Sequence, residues 1–136
     1  EYKLRRDERQ GRRKGKAIRM RILVVDDEAP IMTLCLKILG RLGHEVEGVT
    51  RGEEALSKLA GAPVDLLVVD YKMPGINGFE VVRRARALHP SLKVVLITGH
   101  GTREVMGEAL DGGINGILVK PFTPDELTTT INAALE

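Results

Sequence analysis

Cysteine is nearly absent. Cys35 is the only one, so no internal disulfide can staple the fold, which fits a reducing compartment. It falls on an apolar helical face and reads as a buried packing residue. Tryptophan is missing, and two Tyr and two Phe are the whole aromatic complement. No apolar run exceeds about five residues, far short of the ~20 that cross a bilayer. The N-terminal stretch is basic and lacks the apolar segment of a secretory signal. No membrane association and a cytoplasmic location are therefore expected. With 136 residues, 43% hydrophobic and 29% charged, the chain suits one domain built on one core.

Charge is divided unevenly. Residues 1–19 hold nine Lys or Arg against three Asp or Glu, a net of +6, while residues 20–136 hold twelve against sixteen, a net of −4. The first segment has almost no apolar residues and no helical stripe, and it reads as a flexible basic arm or linker. Arg5, Arg6, Arg9, Arg12, Arg13, Lys14 and Lys16 would suit nucleic acid or anionic lipid. Without aromatic interleaving or a recognisable binding fold, nucleic acid is not the expected partner. The chain opens on Glu1, and Met20 stands where a compact domain could start. A piece of a longer protein and an upstream extension are both open readings.

What is present is regular. Ile22-Leu23-Val24-Val25 is a short apolar run, as a strand buried on both faces would be, and Leu66 to Val69, Val94 to Ile97 and Gly116 to Val119 follow as further strands. Glu45-Val46-Glu47-Gly48-Val49 alternates, as an edge strand does. Between them lie helical patterns. Ile31, Leu34, Cys35, Ile38, Leu39 and Leu42 form one stripe, with Pro30 in the first turn and Gly43 as the stop. Glu53 to Leu59 is a short helix, Phe79 to about His89-Pro90 another, and Arg103 to Leu110 a fourth closed by Gly112-Gly113. Thr123-Pro124-Asp125-Glu126 opens the last, which buries Leu127, Ile131, Ala134 and Leu135. Five strands alternating with five helices predict an α/β fold, a doubly wound (βα)5 parallel sheet. The edge-like second strand fits the order 2-1-3-4-5, one of the two common doubly wound orders and that of flavodoxin-like folds.

In such sheets ligands sit beyond the carboxyl ends of the strands. Strand one ends in Asp26-Asp27, strand three in Asp70, strand four in Thr98 and strand five in Lys120. Taken singly, Asp26 or Thr98 reads as a helix cap and Lys120 as a solvated lysine. Taken together they put three carboxylates, a hydroxyl and an ammonium on one rim. Carboxylates roughly 5 Å apart repel by ~3 kcal/mol per pair at an effective dielectric of 20. One lysine cannot neutralise them, whereas a hard divalent cation such as Mg2+ can. Cation, carboxylate, ammonium and hydroxyl together suit phosphoryl transfer. Tyr71 and Met73 read as packing beside the site and Glu28 as a solvated residue at a helix start. His44 and His100 offer no paired ligand spacing.

Val25-Asp26-Asp27, Asp70-Tyr71-Lys72-Met73-Pro74-Gly75, Ile97-Thr98-Gly99 and Val119-Lys120-Pro121-Phe122 resemble the receiver domain of bacterial response regulators, the CheY-like family of two-component systems. The resemblance covers residues 20–136. It implies a signalling domain rather than an enzyme with its own substrate, in which Asp70 accepts a phosphoryl group from a histidine kinase or phosphotransfer protein. Asp26, Asp27, Asp70 and the backbone carbonyl of Lys72 would hold Mg2+, and Thr98 and Lys120 would bind the phosphoryl oxygens. It also implies a cis Lys120–Pro121 peptide. Lys72 and His100 stand where members of the family vary and tune dephosphorylation. The aromatic residue that often precedes the lysine by three is replaced by Ile117, which leaves the switch without its usual second part. The output surface would be Arg103 to Leu110 with the fifth strand and last helix, acting on an effector protein or a fused domain. Two other readings stand beside this one. A haloacid-dehalogenase-like phosphatase would want a second Asp where Lys72 is, and a receiver could also act by protein contact without phosphorylation.

Overall fold

The computed structural model describes residues 19–99, 101 and 103–136. The basic arm, except Arg19, and His100 lie outside the described residues, so the readings placed on them are not addressed. The chain runs β1 (Arg21–Val25), α1 (Ala29–Arg41), β2 (Glu45–Val49), α2 (Gly52–Gly61), β3 (Leu66–Asp70), α3 (Gly78–Leu88), β4 (Lys93–Thr98), α4 (Arg103–Asp111), β5 (Gly116–Val119) and α5 (Pro124–Leu135). All strand pairs are parallel, in the order β2-β1-β3-β4-β5. Every expected element is present, most with ends a residue or two from those the sequence pattern indicates.

The apolar runs of β1, β3 and β4 are covered twice, while β5, at the edge of the sheet, is only partly buried. Leu23, Val25, Leu67, Val69, Val94 and Leu96 enter one cluster, with Ala55 and Leu59 of α2, Val81, Val82 and Ala85 of α3 and Val105 and Ala109 of α4. Their neighbours Ile22, Val24, Leu66, Val68, Val95 and Ile97 enter the other, with Cys35 and Leu39 of α1 and Leu127, Ile131 and Ala134 of α5. Alternate side chains of one strand point to opposite faces, so an unbroken apolar run serves two cores. Complete burial of each Leu, Ile or Val contributes roughly 1.5–3 kcal/mol. Cys35 has no exposed surface, and burial pushes its thiol up to about 12, which makes it an inert packing residue.

Helix ends follow local chemistry. Gly43 adopts φ +93, and its N–H and that of His44 donate to the carbonyls of Gly40 and Leu39, a Schellman stop. Gly113, at φ +66, ends α4 in the same way, with Ile114 reaching back to Ala109. Thr123 and Glu126 form a capping box at the start of α5, directly after the site-bearing end of β5. The Lys120–Pro121 peptide is cis, as the resemblance implied.

The amino ends of the strands are tied sideways. Asp65 Oδ2 accepts the Arg21 N–H at 2.8 Å while the Asp65 N–H donates to the Arg21 carbonyl at 2.8 Å, joining β1 to β3. Asn115 does the same for β4 and β5, its Oδ1 accepting from Val94 N and its N–H donating to Val94 O, each at 2.8 Å. His44 Nδ1 accepts the Met20 N–H at 3.1 Å, and Glu45 N returns a bond to Met20 O, joining β1 to β2.

Candidate functional site

At the carboxyl ends the chemistry is different. All five residues of β3 are buried, so the strand carries Asp70 inward to 3% exposure. Asp26, one residue past β1, has no exposed surface, and its N–H donates to the Val49 carbonyl at 3.1 Å. Asp27 beside it is exposed, and each of Asp26, Asp27 and Asp70 brings one carboxylate oxygen to within 4.8 Å of the other two. The turn after β3 is held against the sheet by the Tyr71 N–H on the Ile97 carbonyl and the Gly78 N–H on the Tyr71 carbonyl. A Cβ at Gly78 would lie 2.5 Å from the Asp70 carbonyl, so only glycine lets α3 begin this close to the end of β3.

Lys120 arrives from β5, its N–H donating to the Thr98 carbonyl at 2.8 Å. Its Nζ stands 3.3 Å from Asp70 Oδ2 and 3.4 Å from Asp26 Oδ2. The second approach is an ion pair whose geometry falls short of a hydrogen bond, so Asp26 Oδ2 is buried with no hydrogen-bond partner. Asp26 Oδ1 is satisfied, accepting the Glu28 N–H at 2.8 Å. Burial pushes the Asp70 carboxyl up to about 6, reinforced by the charge of Asp26 and opposed by Lys120. Asp26 is also raised, by burial first, against the Glu28 N–H and Lys120. Burial draws the Lys120 ammonium down, but Glu28, Asp26 and Asp70 outweigh it and the net shift is upward. Both acids stay raised although the lysine touches both. One ammonium does not satisfy this rim.

The donor set fits a hard cation: three carboxylates bring an oxygen each within reach of one another, and Asp26 keeps a buried oxygen without a hydrogen bond. Thr98, the last residue of β4, is fully buried, and a Cβ at the adjacent Gly99 would meet nothing within 4 Å. The smallness of Gly99 is thus not a packing requirement and leaves space above Thr98. Lys72 is exposed on the turn after Asp70. Tyr71 and Met73 pack as expected, the tyrosine edge-on to Phe79 with ring centroids 5.3 Å apart. Ile117 is half-buried against the core cluster that includes Leu96 and Val105.

One residue departs from expectation. Glu28 is solvated, its side chain 56% exposed, yet its Oε1 lies 2.8 Å from Lys120 Nζ, closer than either aspartate. The signal available in the sequence was its place directly after Asp26-Asp27. Nothing there told that it would turn toward β5, 92 residues away in the chain.

A doubly wound parallel sheet with an acidic, lysine-faced rim at its switch point defines a class, the flavodoxin-like domains with an anionic site. Comparison narrows it: residues 22–132 match the model of the response regulator receiver domain, and the chain belongs to that family, the receiver domains of two-component signalling. It is 37% identical over 123 residues to the transcriptional regulatory protein TcrA of Mycobacterium tuberculosis, covering 90% of this chain and 49% of the relative. The chain therefore spans about half the length of that curated relative. It is 36% identical to the chemotaxis protein CheY1 of Helicobacter pylori over 85% of this chain and 97% of that protein. The solved structure of Vibrio cholerae CheY4 superposes with a TM-score of 0.81 at 32% identity, covering 87% of this chain and all of that one. No helix among the described residues is long and apolar enough to cross a membrane.

Proposed function

We propose that Asp70 is the phosphoacceptor of this receiver, taking a phosphoryl group from the phosphohistidine of a sensor kinase or phosphotransfer protein. The observation that carries the reading is the rim itself: a buried carboxylate in reach of two others and faced by one lysine. Asp26, Asp27 and Asp70, with the Lys72 carbonyl, would hold Mg2+, which supplies positive charge where three anionic groups and a phosphoryl group meet. An Asp70 oxygen attacks phosphorus, the P–N bond to the donor imidazole breaks, and the electron pair stays on that nitrogen. Lys120 Nζ and the Thr98 hydroxyl receive the oxygens of the transferred group. The backbone bond between Lys120 and Thr98 ties these two responders together.

Residues 20–136 form the receiver body in this reading, a cytoplasmic regulator rather than an enzyme with its own substrate. Movement of Thr98 toward the phosphoryl group biases α4, β5 and α5, the surface offered to an effector protein or fused domain. Leu110 of α4, 81% exposed, and Val119 of β5, 42% exposed, lie on that side. Ile117 replaces the family's frequent aromatic, so a rotating aromatic ring does not carry the signal here. Lys72, and His100 beyond the described residues, tune access of hydrolytic water. The test is incubation with Mg2+ and a small acyl phosphate, followed by intact mass. One phosphoryl adduct is expected, lost in Asp70→Asn. An adduct that persists at full yield in that variant, or none in the wild type, overturns the reading.

A further inference from the structure

Glu28 has an arrangement its helix does not need. It is the N-cap residue of α1, with an extended backbone at φ −90 and ψ 114, and its side chain makes no capping bond. An N-cap side chain ordinarily satisfies a free N–H of the first helical turn. Here the backbone is pinned on both sides, the N–H by Asp26 Oδ1 at 2.8 Å and the carbonyl by the Met32 N–H at 3.0 Å. The carboxylate is left to reach across the rim, where it is the shortest of the three contacts of the Lys120 ammonium: 2.8 Å, against 3.3 Å to Asp70 and 3.4 Å to Asp26.

We propose that Glu28 is a positioning residue for Lys120, holding the ammonium partly off Asp26 and Asp70 so that a divalent cation can take their oxygens. The inference rests on the reading of this rim as a Mg2+ site. An ammonium and a divalent cation compete for the same Asp26 and Asp70 carboxylates. With Glu28 present, the lysine has a third carboxylate outside that set. With Glu28 neutralised, its remaining ion-pair partners among the described residues are the two aspartates, and it settles onto them. Loss of one negative charge and inward movement of the ammonium both weaken cation binding, so the two effects add. In the phosphorylated state the same lysine exchanges Glu28 for a phosphoryl oxygen. A half-exposed partner suits this exchange, because solvent takes over the released carboxylate at little cost.

The test titrates Mg2+ alone into the full chain, followed by amide resonances, for wild type, Glu28→Gln, Glu28→Asp, Lys120→Met and the Glu28→Gln/Lys120→Met pair. Glu28→Gln is expected to weaken binding about three- to fivefold. Glu28→Asp keeps the charge but shortens the reach, and is expected to fall nearer to Gln than to wild type. With Lys120 replaced by Met, the effect of Glu28→Gln should shrink to under about twofold. Unchanged affinity in Glu28→Gln, wild-type affinity in Glu28→Asp, or the full loss persisting without Lys120 each overturns the proposal. Wild-type protein that binds no Mg2+ would instead overturn the metal reading on which it stands.

Discussion

The two ends of this sheet are made from the same strands and behave as opposites. At the amino ends, Asp65, Asn115 and His44 each sit just before a strand and give a side-chain acceptor to the adjacent strand's free N–H. At the first two pairs the same residue returns its own N–H, and at the third Glu45 does so. Each of the side-chain acceptors there is satisfied. At the carboxyl ends, Asp26 and Asp70 are buried, both are raised in pKa, and Asp26 Oδ2 has no hydrogen bond at all. A satisfied rim stabilises, while an unsatisfied one attracts what it lacks. The fold thus separates the end that holds the sheet together from the end whose charges stay unbalanced.

The sharpest way to break this contrast is Asp70→Asn. It should abolish the phosphoryl adduct and at the same time raise the metal-free stability at neutral pH, by about 1–3 kcal/mol, because the buried charge is gone. Chemical denaturation in chelator reads the second effect, and a loss of stability would contradict the account of a strained rim. The pH dependence follows from the same group. Asp70 is raised from 3.8 to about 6, so between those values the folded protein binds more protons than the unfolded chain. That contribution to stability is fully present below the unfolded pKa and is lost as pH rises through about 6. Metal-free wild type should therefore show a decline over this window that is shallower in Asp70→Asn, where only the raised Asp26 remains. Equal slopes for the two proteins would remove Asp70 as its source.

Changes at the opposite rim should be smaller and of the other sign. Asn115→Ala removes the acceptor for Val94 N and a partner of the Arg86 guanidinium, whose other donors hold the carbonyls of Leu92, Gly112 and Gly113. A loss of about 1–2 kcal/mol in urea is expected, with adduct formation from the small donor unchanged. A comparable fall in adduct yield would show that the two rims are coupled. Asp65→Ala, at an exposed bond, should cost about 0.5–1 kcal/mol, again with no effect on the adduct.

Reading the sequence went furthest where local chemistry decides. Runs such as Leu66 to Val69, short, apolar and bounded by turn residues, read as buried strands. Gly43 and Gly113 mark helix stops because only they take a positive φ there without strain. Asp26, Asp27, Asp70, Thr98 and Lys120 were legible as one site because a parallel sheet brings the residues after its strands to one edge. The reach of Glu28 was not legible, since a residue next in sequence to two aspartates has many directions open to it. Nor was the pairing role of Asp65 and Asn115, which depends on which strand lies alongside.

The chain by itself determined the alternation of strands and helices, the punctuation between them and the set of groups delivered to one rim. Periodicity and backbone sterics act over a few residues and need no distant partner. The tertiary structure alone decided how one ammonium is shared among Glu28, Asp70 and Asp26, and that Asp26 keeps an oxygen unpaired. Those outcomes depend on distances between strands and loops far apart in sequence, and on burial that exists only once both faces of the sheet are covered.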